Sequence, residues 1–99
     1  MTERVGETWQ FATEHHSADR VFLVHQTAGG GSTWMEMIPA GGGQWELTQQ
    51  LAPGQHRFHY FVNEGGAYYN CGTDGLSAQR LAGHNPDVRV NPMETAMTA

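Results

Sequence analysis

Lysine is absent from this chain of 99 residues, and cysteine occurs once. Without lysine, five arginines face ten acidic residues, for a net charge of −5. Such a surface offers no basic stripe to a phosphate backbone, which argues against a nucleic-acid partner. A phosphate loop needs a lysine after its glycines, so the glycine triplets at 29–31 and 41–43 read as plain flexible loops. A lone Cys71 cannot close an internal disulfide. It stands at no fixed spacing from a histidine base, and reads as an inert small hydrophobe. No apolar run approaches the roughly 20 residues of a membrane span. The opening "MTERVGETWQ" lacks the apolar stretch of a secretory signal, so a cytoplasmic protein is the expectation. Internal repeats and charge runs are also missing, and helical periodicity is weak throughout. The length suits one domain, with a core over about 8–91 and a frayed end at 92–99, "PMETAMTA".

What the chain does have is a succession of short extended runs parted by turn residues. "ETWQFATE" alternates Trp9 and Phe11 with polar neighbours, while "DRVFLVHQ" is continuously apolar from Val21 to Val24, as a strand covered on both faces would be. "TWMEMIPA" and "QWELTQQL" follow as a third and a fourth run. Pro53-Gly54 suits a type II turn, because proline sets the first central φ and glycine accepts the positive second one. In "QHRFHYFV" the alternation sends His56, Phe58, Tyr60 and Val62 to one side and Arg57, His59 and Phe61 to the other. "NEGG" turns the chain into "AYYNC", and "PDVRVNP" supplies a last run after a polar loop. About seven to eight strands at this spacing predict an all-β, two-sheet antiparallel sandwich. Its core takes Phe22 or Val21, with Leu23, Trp9, Trp45, Leu47, Phe58, Tyr60 and Val62. Adjacent Tyr68 and Tyr69 must point to opposite faces, which predicts one buried and one exposed. Trp34, beside a glycine-rich loop, suits either the core or a ligand surface.

Candidate chemistry is thin. Six histidines raise the question of a metal, but His15 and His16 are adjacent, and His56 and His59 lie on opposite faces of one strand. No metal or other cofactor is therefore expected. Carboxylates are scattered rather than paired across a cleft, so the glycosidase arrangement is not present in the pattern. Catalysis is not expected. Phe61, outward in a mid-chain strand, needs a cover, which a ligand, a partner domain or a second copy would supply.

"RVFLV", Trp34 with Met37 three residues on, "GQWELTQQLAPGQHRFHYFVNEG" with an aromatic beyond it, and Asn85 before "DVRV" together resemble the family-48 carbohydrate-binding modules, over roughly 19–90. That family includes the glycogen-binding domain of the AMP-activated protein kinase β subunit and the amino-terminal domains of isoamylases and branching enzymes. The resemblance implies an early-set immunoglobulin-like sandwich that binds α-1,4-linked glucans such as glycogen. It implies Trp34 and Tyr68 as the stacking aromatics, with His59 at the position of a sugar-binding lysine and Asn85 as the late asparagine. This chain departs from the family in "HQTAGGGSTW" before the first aromatic, in "NCG" after the second, and in His59 itself. Two functions follow as expectations. One is a stand-alone, non-catalytic α-glucan-binding module. The alternative is an interaction or assembly domain that keeps the fold, has lost the sugar site, and uses Phe61, Trp34 and Tyr68 to dimerise or to dock onto a carbohydrate-active enzyme or kinase.

Overall fold

The computed structural model describes residues 6–27 and 29–91, and the tail expected to fray at 92–99 lies outside them. The described residues form nine strands: β1 (Glu7–Glu14), β2 (Arg20–Thr27), β3 (Ser32–Glu36), β4 (Ile38–Gly41), β5 (Gln44–Leu51), β6 (Gly54–Glu64), β7 (Ala67–Gly72), β8 (Ser77–Ala82) and β9 (Val88–Asn91). They make two sheets, one ordered β4-β5-β1-β8 and the other β3-β2-β6-β7, with β9 also paired to β6. All pairings are antiparallel except β6 with β9. Eleven residues let β6 carry two partners on one flank, β9 along Gly54–Arg57 and β7 along Tyr60–Glu64. Its other flank is taken by β2.

Two strands differ from the expectation. The run "TWMEMIPA" is not one strand: it breaks at Met37, so that β3 joins β2 while β4 joins β5 in the opposite sheet. Met37 is buried at the crossover, and its N–H donates to the Val21 carbonyl at 2.8 Å. The polar stretch after Gly72 holds β8, whose one fully buried side chain is Ala78.

Two hairpins have the tight geometry their glycines allow. Gly42-Gly43 links β4 to β5 and Gly65-Gly66 links β6 to β7, all four with positive φ, as a two-residue type I′ turn requires. Gly54 also has positive φ, and β6 begins there rather than at Gln55.

The inner faces of the two sheets meet in one core. Trp9 and Phe11 of β1, Trp45 and Leu51 of β5 and Ala78 of β8 face Val21 and Leu23 of β2, Phe58, Tyr60 and Val62 of β6, and Val88 and Val90 of β9. Across the middle, the Phe11 and Phe58 rings approach to 4.2 Å between centroids. Of the pair at the start of β2, Val21 is the inward residue and Phe22 the outward one. Leu47 is half-buried against the cluster.

At Glu7, Tyr60 and His56, polar groups drawn inside are satisfied by specific partners. The Glu7 carboxylate, only 3% exposed, accepts from Trp9 Nε1 at 2.9 Å and from the Asn85 backbone amide at 2.6 Å, with Arg80 at 3.5 Å. The Tyr60 hydroxyl donates to the Asp74 carbonyl, so it accepts from His15 Nε2 at 2.8 Å, which fixes the His15 tautomer. His56 Nε2 lies 2.7 Å from the Ala52 carbonyl and must donate to it. Neutral His56 therefore accepts at Nδ1, and His25 Nε2 donates to it at 2.9 Å while stacking on Phe58 at 4.5 Å.

Tyr60→Ala is expected to cost roughly 3–5 kcal/mol, as loss of a large buried aromatic does, and urea unfolding measures it. A loss below about 1 kcal/mol would contradict the core described above. A second expectation concerns acid. Burial, followed by the neighbouring His56, holds His25 below its ordinary value of 6.5. The unfolded chain then takes up that proton first, so stability is full above about pH 6.5 and falls as the pH drops through the interval beneath it. The melting temperature of wild type should decline more steeply between about pH 6.5 and 5 than that of His25→Phe, which keeps the stacking but cannot titrate. Parallel curves would exclude the histidine pair as the cause.

Candidate functional site

Alternation along four neighbouring strands builds the outer face of the five-stranded sheet. In register, Phe22 stands beside Glu36 on one side and Phe61 on the other, and Phe61 in turn stands beside Asn70. One row further, Val24 lies between Trp34 and His59; in the other direction, Asn63 lies between Arg20 and Tyr68. The face is thus aromatic at its centre and polar around it.

The rings form a connected group. Trp34 stacks on Phe61 with centroids 4.6 Å apart and planes inclined by 30°. Phe22 lies beneath the group, 5.9 Å from Trp34 and 6.0 Å from Tyr68. Trp34 and Tyr68 meet edge to face at 6.4 Å and 71°. Both remain open to solvent, Trp34 at 49% and Tyr68 at 55% exposure, while Phe22 and Phe61 are half-buried. Val24, on the same face, is only 2% exposed. His59 approaches Phe61 at 5.7 Å, and Arg20 pairs with Glu36 at 3.6 Å on the border.

Three of the four residues expected at a sugar site therefore share one face: Trp34, His59 and Tyr68. Asn85 does not join them. Its loop is tied to Glu7 of the opposite sheet, and the following residue pair ends at Asp87, whose carbonyl accepts from Gly54 N–H at 2.9 Å. Gly54 lies about 17 Å along β6 from His59 at roughly 3.3 Å per residue. The Asn85 Oδ1 accepts instead from the Asp87 amide, shaping the turn into β9. The buried Glu7 carboxylate, which the sequence pattern did not single out, is what recruits this loop.

Two other expectations change. Tyr69 is inward by alternation, in register with Val62, yet 51% exposed. β7 is an edge strand, so an inward side chain there covers the flank of the sandwich instead of entering it. The cover that Phe61 needed is supplied within the chain by Trp34.

Burial pushes the Cys71 thiol up, and His15 Nε2 donates to the Tyr60 hydroxyl. Burial likewise pushes the Tyr60 hydroxyl up and holds it as a donor. Among the described residues no group of three or more histidine, cysteine or acidic side chains could hold a metal ion, and no helix is long and apolar enough to cross a membrane.

The tryptophans should separate sharply on truncation. Trp45→Ala, inside the core, is expected to cost roughly 3–5 kcal/mol in urea unfolding, and Trp34→Ala about 1 kcal/mol, the value of its stacking on Phe61. Equal costs would mean that Trp34 is a core residue. In comparisons with protein-family models, with curated proteins and with solved structures, nothing matches this chain.

Proposed function

We propose that this protein is a non-catalytic module that binds α-1,4-linked glucans on the outer face of its five-stranded sheet, and that its sandwich is of the early-set immunoglobulin-like kind. The observation that carries this reading is the exposed, inclined pair of Trp34 and Tyr68 above Phe22 and Phe61. Glucose presents apolar C–H faces that stack on aromatic planes, and hydroxyls at its edges that demand polar partners. Two exposed rings inclined by 71° suit the curved path of an α-1,4 chain, whereas a flat β-1,4 ribbon would want rings in one plane. His59 at the border adds a group able to donate or accept.

Docking onto a kinase, a carbohydrate-active enzyme or a second copy is the other reading. Its warrant is Phe61 together with Trp34 and Tyr68: Trp34 lies over Phe61, while Trp34 and Tyr68 themselves stay open to solvent.

Calorimetry with maltoheptaose and β-cyclodextrin tests the proposal. Two stacking rings, each worth on the order of 1 kcal/mol beyond area burial, imply weak binding, with Kd between tens of micromolar and millimolar. Trp34→Ala and Tyr68→Ala should each abolish the heat, and cellohexaose should give none. No heat with any α-glucan at millimolar concentration, together with concentration-dependent dimers in sedimentation, would replace glucan binding by assembly.

A further inference from the structure

Resting on the glucan reading, a second question is which side chains hydrogen-bond the sugar once Asn85 is committed elsewhere. A pyranose lying on an aromatic plane directs its equatorial hydroxyls sideways, so its partners must flank the rings at the same level. The register supplies two such residues. Asn63 is the direct cross-strand neighbour of Tyr68, and Asn70 that of Phe61. Directly opposed residues on one face have Cβ atoms about 4.5–5.5 Å apart, within reach of one sugar ring.

Their chemistry fits the task. A carboxamide carries a donor and an acceptor side by side, and so can engage two adjacent hydroxyls at once. Asn70 is held ready: the Gly72 backbone N–H donates to its Oδ1 at 2.9 Å. A backbone N–H can only donate, which assigns the oxygen and leaves the Nδ2 hydrogens directed elsewhere. Asn70 is exposed, and Asn63 half-buried between Tyr68 and Arg20. Arg20 in turn is drawn toward Glu36.

We propose that Asn63 and Asn70 are the specificity-determining residues of this face, binding vicinal hydroxyls of the glucose units stacked on Trp34 and Tyr68, and that Asn85 is a turn residue without a part in recognition. The aromatic rings then set how tightly any apolar-faced ligand rests there, and the two amides select a sugar among such ligands.

Calorimetry with maltoheptaose on wild type, Asn63→Ala, Asn70→Ala, Asn70→Asp and Asn85→Ala tests this, with melting temperatures measured in parallel. Asn63→Ala and Asn70→Ala should each weaken binding about threefold to tenfold, the usual worth of a hydrogen bond. Asn70→Asp keeps the acceptor for Gly72 and removes the donor, so it should lose affinity even if Asn70→Ala disturbs the strand. Asn85→Ala should lower the melting temperature and leave the affinity of the folded protein unchanged. If wild type binds and the Asn63 and Asn70 variants bind equally well, or if Asn85→Ala loses more affinity than they do, this inference fails while the glucan reading stands. If wild type does not bind, both fail.

Discussion

The two-residue pleat of β6 is the constraint on which both halves of this molecule depend. Through Gly54–Glu64 the alternation never lapses: His56, Phe58, Tyr60 and Val62 go into the core, and Arg57, His59, Phe61 and Asn63 go outward. Three other strands take their register from it. A slip of one residue against β2 would set Tyr60 on the surface and Phe61 in the core. The hairpin at Gly65-Gly66 and the contact of Phe11 with Phe58 hold that register from two directions.

That alternation is also why much of the fold was legible. β1, β5 and β6 announce themselves by alternating a buried face with a more open one, and β2 by its continuous apolar run, Val24 being buried even on the outer face. Where burial is partial the signal fades. β8 buries little beyond Ala78, so "SAQRLA" reads as loop; the switch of sheets at Met37 leaves no mark in an unbroken extended run. Tyr69 follows the pleat correctly and is still exposed, since alternation tells which face a residue takes and not whether the opposite sheet reaches that far. At the candidate site, Trp34, His59 and Tyr68 could be read from the sequence. The part proposed for Asn63 and Asn70 could not, because it rests on their cross-strand neighbours. Asn85 went astray because its position is decided by a buried carboxylate 78 residues earlier in the chain.

Polar side chains are thus sorted by how fully they are engaged. Those inside, such as Glu7, His15 and His56, spend their hydrogen bonds on fixed partners and hold the ends of the sandwich in place. Those on the outer face keep capacity to spare, as the Nδ2 of Asn70 does. On the proposed reading, stability and recognition draw largely on different residues.

The order of strands in the smaller sheet also shapes how the chain must assemble. β1 lies between β5 and β8, so its partners come from 44–51 and 77–82, and none from its neighbours in sequence. The hairpins β2-β3, β4-β5 and β6-β7 can each form as soon as they leave the ribosome, while β1 waits with two bare edges and the side chains of Trp9 and Phe11 exposed. Topology therefore leaves the first strand of the sandwich without a local partner until β5 has been made.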